Sequence, residues 1–112
     1  MAEEHRSLQA RLCGLRFVSK KRTVWLGEQM KRAAVSVASN IAEGQARQHL
    51  GEFRQFLAMA NGSLAELDTQ RIIAEELGLI NRTRSGELDC AITEIRKMLY
   101  SLSSKAQPIA KN

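Results

Sequence analysis

Apolar side chains recur every three or four residues along most of this chain, and this spacing constrains the fold more than any other feature. A period near 3.6 residues is typical of an α-helix with one buried face. The longest run, at about residues 50–77, places on one face Phe53, Phe56, Leu57, Ala60, Leu64, Leu67 and Ala74. Only one of the 112 residues is proline, and proline is the residue that interrupts helices. The sequence therefore predicts an all-α protein.

Three further segments have the same spacing, and we predict helices at about residues 4–19, 24–44 and 85–103. Their apolar stripes are Leu8, Leu12 and Leu15, then Met30, Ala33, Ala34, Val37 and Ile41, then Leu88, Ile92, Ile95, Leu99 and Leu102. Four amphipathic helices with short connections can bury their stripes together as an antiparallel four-helix bundle. We predict one such domain over residues 1–104, followed by a flexible tail at 105–112.

Local signals suggest where these helices begin and end. Residues 19–23 are polar and predict a connection, with Thr23 as the cap of the helix at 24–44. Ser85 is the predicted cap of the last helix. Gly44 and Gly78 follow apolar runs, and each is predicted to end its helix in the left-handed conformation.

The helix predicted at 24–44 carries two further patterns. Ala34, Ala38 and Ala42 form a row of small side chains that would let a neighbouring helix approach closely. The side opposite the apolar stripe is polar and holds Arg32, Ser36, Ser39, Asn40 and Glu43; on the helix at 50–77, Ser63, Glu66 and Gln70 flank the apolar face. A solvated face explains Ser39 and Glu43 as well as a packing role does. Asn40 is a poor helix former at the border of the stripe, so we expect it to bond to a neighbouring helix or subunit rather than to a ligand.

The chain is basic, with a net charge of +5, and both ends are more basic than residues 57–80. Basic ends permit contact with nucleic acid but do not require it. The candidate phosphate contacts are Lys20, Lys21, Arg22, Lys31, Arg32 and Arg47. Aromatic residues make up 4% of the chain, and Trp25 is the one that we expect to be available for stacking on a base. Ordinary solubilising charges explain the same residues, and the acidic segment at 57–80 would alternatively suit a protein partner.

The sequence contains none of the patterns expected of an enzyme. His5 and His49 have no cysteine or carboxylate at metal-ligand spacing, and no phosphate-binding loop or nucleophile motif is present. We therefore expect no catalytic residue, no metal and no cofactor. Cys13 and Cys90 are interpreted as reduced, packed thiols. With no signal peptide and no apolar run long enough to span a membrane, we expect a cytoplasmic protein.

Two stretches resemble a known family: QMKRAAVSVASNIAEG at residues 29–44 and EFRQFLAMANGSLAELDTQRIIAEELGLI at residues 52–80. They are similar to the four-helix-bundle proteins related to those encoded in intervening sequences of large-subunit ribosomal RNA genes. The resemblance covers about residues 26–102 and implies a cytosolic bundle that assembles as a ring-like homopentamer without established enzymatic activity. A distantly similar group serves diversity-generating retroelements and binds reverse transcriptase and RNA. The family motif falls on Arg32, Ser36, Asn40, Glu43, Gly44, Ser63 and Glu66.

Arg71 departs from this family pattern, because it lies in the apolar stripe where members usually carry an aliphatic residue. A buried guanidinium without a partner would be costly. We therefore expect Arg71 to pair with an acid or to reach water at the end of the bundle or at a subunit interface. The sequence as a whole predicts a non-catalytic oligomeric bundle that acts as a scaffold or assembly module, and the alternative is a nucleic-acid-associated accessory protein.

Overall fold

The computed structural model describes residues 20–106, which form three α-helices: α1 (Lys20–Gln45), α2 (Leu50–Glu76) and α3 (Arg82–Lys105). This part of the chain contains no β-strand, so the predicted all-α class is confirmed. The helix predicted at 4–19 lies outside the described residues, and so do residues 107–112 of the predicted tail. None of the three helices is long and apolar enough to cross a membrane.

The central helix of the arrangement is α2, which packs against both α1 and α3. No Cα atom of α1 lies within 8 Å of a Cα atom of α3. The connections between successive helices are short, so neighbouring helices run antiparallel. The three helices therefore leave a groove between α1 and α3, and Met30 and Leu88 line it from either side.

The core is built from the periodic apolar positions of all three helices. Its buried members are Ala33, Val37, Leu57, Ala60, Leu64, Leu67, Ile92 and Leu99, and half-buried against them are Met30, Ile41, Phe53, Leu88, Ile95 and Leu102. Burial of one Leu or Ile side chain stabilises a fold by about 1.5–3 kcal/mol. The stripes predicted for the three described helices thus form the core, whereas Leu8, Leu12 and Leu15 lie outside the described residues. Ala34 is the exception, because its side chain is exposed on α1.

Two predicted helix starts are wrong. Residues 20–23 belong to α1, so they are not a connection and Thr23 does not cap the helix. At the other end of the chain, α3 begins at Arg82, and the side chain of Asn81 accepts a hydrogen bond of 2.8 Å from the backbone N–H of Arg84. Ser85 lies inside α3 and is buried, because its hydroxyl bonds to α2 instead of capping its own helix.

Gly44 does not end α1 in the left-handed conformation, contrary to the prediction. The helix continues to Gln45, and Gly78 is the glycine with positive φ within residues 20–106. Gly44 is buried, and a Cβ atom on it would lie 2.9 Å from Cδ1 of Phe53 and 2.9 Å from Cβ of Phe56. Such a distance is shorter than van der Waals contact. Glycine is therefore required here because two aromatic residues of α2 press against the backbone of α1.

Gly78 has the predicted role. Its φ is 74°, and it follows Leu77 at the end of α2. The N–H of Leu79 donates to the carbonyl of Ala74 at 2.8 Å, and the N–H of Gly78 donates to the carbonyl of Glu75 at 3.0 Å. This pair of bonds is the Schellman motif, which satisfies the last carbonyl groups of a helix.

Candidate functional site: the polar seam between α1 and α2

Half-buried polar side chains join the middle of α1 to the middle of α2, and we call Ser36, Asn40 and Ser63 the polar seam. The Oγ atoms of Ser36 and Ser63 lie 2.8 Å apart across the two helices. Nδ2 of Asn40 donates to the carbonyl oxygen of Ser36 at 2.8 Å and to Oγ of Ser36 at 3.1 Å. The segment from Ser36 to Gly44 is continuous α-helix, and this is what places Asn40 one turn after Ser36.

Within residues 20–106, Asn40 does not itself bond to another helix, and the predicted bond to a neighbouring subunit stays a prediction. Its amide nitrogen only donates, so Oγ of Ser36 is an acceptor towards Asn40 and keeps its own proton available for Oγ of Ser63. Asn40 therefore orients the hydroxyl that makes the bond between helices. Within the described residues, its Oδ1 atom makes no hydrogen bond of its own.

Gln70 continues the polar seam along α2, two helical turns beyond Ser63. Its Oε1 atom is buried, and no hydrogen-bond partner for it is found within residues 20–106. Leaving a buried acceptor unpaired costs about 1–3 kcal/mol. The α1–α2 contact is therefore polar over several turns and not fully satisfied by the described chain alone.

The remaining motif residues form an exposed rim beside the polar seam. Arg32, Glu43 and Glu66 are all exposed, as is Ser39. Glu43 pairs with Arg47, whose Nη2 lies 3.2 Å from Oε2 of the carboxylate. The guanidinium of Arg47 also stacks over the ring of Phe56, at 4.9 Å from its centroid. The motif thus has an inner part that joins two helices and an outer part that faces solvent.

Arg71 occupies a second polar contact, between α2 and α3. Its side chain is 13% exposed, and Nε donates to Oδ1 of Asp68 at 3.0 Å. Nη1 donates to Oγ of Ser85 at 2.9 Å, and the same hydroxyl donates to Oε1 of Glu75. Asp89 of α3 lies 3.6 Å from Nη2. The guanidinium is therefore paired with acids, as a buried cation requires.

This second network connects α2 to α3 through charged and polar side chains. Arg96 approaches Oδ2 of Asp68 at 3.7 Å, so both cations of the network contact the same carboxylate. Sequence reasoning identified Arg71 but missed Asp68, Glu75 and Ser85 as its partners. The spacing of Asp68 and Glu75, three residues before and four residues after Arg71, is a signal that could have found the acids.

The six predicted phosphate contacts do not gather into one patch. Lys20, Lys21, Arg22, Lys31 and Arg32 are exposed on the N-terminal half of the described α1, and Arg47 follows the other end of that helix. At 1.5 Å per residue, Arg32 and Arg47 are separated by about 22 Å along the axis. Lys31 lies 3.7 Å from Glu28, and Arg47 is held by Glu43 and Phe56. The structure therefore brings the first five residues onto one stretch of helix and leaves Arg47 apart.

Metal-binding groups and free thiols can also be assessed within the described residues. Within residues 20–106 no three His, Cys, Asp or Glu side chains are grouped to hold a metal ion. His49 is the residue before α2, and its side chain makes no capping bond. Cys90 is a free thiol and is exposed, so the prediction that it is packed is wrong; Cys13 lies outside the described residues.

One comparison with known proteins gives a match. The model of one protein family, described as 23S rRNA-intervening sequence protein, matches residues 3–101. The match includes the whole polar seam and the Arg71 network. The comparison with curated proteins gives no match.

Proposed function

Since the chain belongs to the 23S rRNA-intervening sequence protein family, we propose that it is a non-catalytic scaffold in which a four-helix bundle assembles into a ring-shaped homopentamer. The proposal has two structural parts, which are the completion of the bundle and the contact between copies. A scaffold needs stable interfaces and no reactive group. The two polar contacts described above join helices, α1 to α2 through Ser36 and Ser63 and α2 to α3 through Arg71 and Ser85.

The groove between α1 and α3 is the evidence for a fourth helix that completes the bundle. Met30, Leu88 and Ile80 line this groove together with Ala91, and Met30 and Leu88 are only half-buried against the core. An amphipathic helix with Leu8, Leu12 and Leu15 on one face, as proposed for residues 4–19, would cover these side chains. Its burial would add to the same core that α2 now forms with its two neighbours.

The main evidence for assembly is the row of small, exposed residues on α1. Ala34, Ala38 and Ala42 are all exposed, and Val24 and Val35, on the same helix, are 62% and 63% exposed. Small side chains let two helices approach closely, so a second copy of the chain is the partner that we propose for this surface.

Light scattering on matched variants tests this interface. We expect Ala38→Glu to dissociate the ring, because the substitution places a charge in the close contact. Ala65→Glu is the control, because Ala65 is an exposed alanine on α2, outside the proposed interface, and this variant should keep the wild-type mass. Equal masses for the two variants would contradict the assignment of the row, and a monomeric wild type would contradict the assembly itself.

A second function, association with RNA or DNA, is favoured by the five cations on one stretch of α1. Within residues 20–106 only Lys31 among them pairs with a carboxylate. Binding through such a surface is electrostatic and weakens steeply with salt. Reversing the charges of Lys20, Lys21 and Arg22 together is expected to abolish it, and salt-insensitive binding would contradict this function.

The exposed thiol of Cys90 suits a reducing compartment, and we propose that the protein works in the cytoplasm in either case.

A further inference from the structure

A cleft of about 310 Å³ lies between α2 and α3, whereas the polar seam lies between α1 and α2. Its polar lining comes from both helices: Arg54 and Asn61 from α2, and Arg96, Tyr100 and Ser103 from α3. Leu57 and Leu99, which are buried core residues, form part of its floor. The cleft therefore combines an apolar base with polar walls, as binding sites for small organic ligands do.

Both charged residues that line this cleft are arginines, so its lining carries positive charge and no carboxylate. Nη1 of Arg54 donates to the carbonyl oxygen of Ala106 at 2.9 Å. This bond holds the guanidinium in place while its other N–H groups remain available. Arg96 is 47% exposed, and its contact with Asp68, at 3.7 Å, is longer than a hydrogen bond. Two guanidinium groups with unused donors are suited to phosphate oxygens.

Tyr100 supplies an aromatic surface beside these arginines. It is 75% exposed, although the preceding residue, Leu99, is buried in the core. Stacking on such a ring is available to any nucleobase, because every base has a π-face. Asn61 is exposed, and its amide makes no hydrogen bond within residues 20–106. Its amide can therefore donate to and accept from the edge of a base.

We propose that this cleft binds a nucleoside phosphate, with the base stacked on Tyr100 and the phosphate oxygens contacted by Arg54 and Arg96. A free nucleotide and a nucleotide within single-stranded RNA offer the same chemistry. The RNA form rests on the nucleic-acid function proposed above and gives it a site that uses none of the α1 cations. The free-nucleotide form is independent of that function and of the assembly.

Two titrations of the purified full-length protein test the cleft. One uses a fluorescently labelled single-stranded RNA of about ten nucleotides, followed by anisotropy. The other uses adenosine monophosphate, followed by calorimetry. Tyr100→Leu should weaken binding about tenfold because stacking is lost, whereas Tyr100→Phe should bind like the wild type. Arg96→Gln should weaken binding roughly threefold to tenfold through the loss of a phosphate contact. Circular dichroism checks that each variant is folded.

The variant with Lys20, Lys21 and Arg22 reversed in charge separates the cleft from the α1 surface. It should bind adenosine monophosphate as the wild type does, even where its RNA affinity falls. Binding of both probes identifies a general nucleotide site. Binding of RNA alone, weakened by Tyr100→Leu, identifies a nucleotide within RNA as the ligand. RNA binding that depends on the α1 cations but not on Tyr100 or Arg96 would contradict nucleotide binding in the cleft. It would remain consistent with the proposed nucleic-acid function. If neither probe binds, the proposal that the cleft is a nucleotide-binding site is wrong.

Discussion

The Oγ atoms of Ser36 and Ser63 lie 2.8 Å apart and form a side-chain hydrogen bond between α1 and α2. Each hydroxyl is half-buried, so the loss of one partner leaves the other poorly solvated. Nδ2 of Asn40 donates to Oγ of Ser36 at 3.1 Å, and either hydroxyl of the pair can donate in the bond between the helices. This contact therefore joins α1 to α2 beside the apolar core that the two helices share.

Removal of either hydroxyl of this pair is expected to destabilise the fold. We expect Ser36→Ala and Ser63→Ala each to lower the free energy of unfolding by about 1 kcal/mol. The double variant should lose less than the sum, because both changes remove the same bond. Ser39→Ala is the control, since Ser39 is exposed on the same helix, and it should change stability by less than about 0.5 kcal/mol. Denaturation at one fixed protein concentration measures all four. Strict additivity would show that the pair is not coupled.

Two glycine-to-alanine substitutions in helices should have opposite effects. Gly44→Ala places a Cβ atom 2.9 Å from both Phe53 and Phe56, and we expect a loss of about 1–3 kcal/mol in the free energy of unfolding. Gly62→Ala meets nothing within 4 Å, and alanine is the better helix former, so we expect a gain of up to about 1 kcal/mol. Chemical denaturation compares the two. Equal effects would contradict the role assigned to Gly44.

Substitution of Arg71 should be more damaging than loss of an exposed cation. Arg71→Met leaves Asp68, Glu75 and the buried Ser85 without their shared donor, and we expect a loss of about 3 kcal/mol. Lys31→Met removes a cation whose side chain is 77% exposed and should cost less than about 1 kcal/mol. Thermal or chemical unfolding of both variants checks the difference. A tolerated Arg71→Met would mean that the network contributes no net stability.

The core was predictable because helical periodicity is a local property. Leu64 and Ile92, two of the most fully buried side chains, lie at the centre of stripes that can be recognised from the spacing alone. The Schellman end at Gly78 was predictable for the same reason, since its signal is contained in a few neighbouring residues.

Contacts between distant residues were not predictable in this way. Gly44 stands near the end of α1, as a terminating glycine would, and only the packing of Phe53 and Phe56 reveals its role. Ser85 has the residue type of a helix cap, but its hydroxyl is used by Arg71, which is 14 residues earlier in the chain. In such cases a tertiary contact overrides a local preference, and the residues next to Gly44 or Ser85 in the chain do not show which of the two prevails.

Tyr100 shows the same limit for function. In the sequence it lies between Leu99 and Leu102, so nothing distinguishes it from a residue at the edge of the core. Its exposure, and its position across a cleft from Arg54 and Asn61, become visible only when α2 and α3 are packed together.

The mass of the native wild-type protein tests most directly whether this chain assembles with copies of itself. Native mass spectrometry at micromolar concentration should give a particle of about five times the 12.5 kDa subunit mass. Collisional activation should then release single subunits from it, as expected of a ring held by non-covalent contacts. A spectrum with only the single-subunit mass at that concentration would contradict the proposed pentamer.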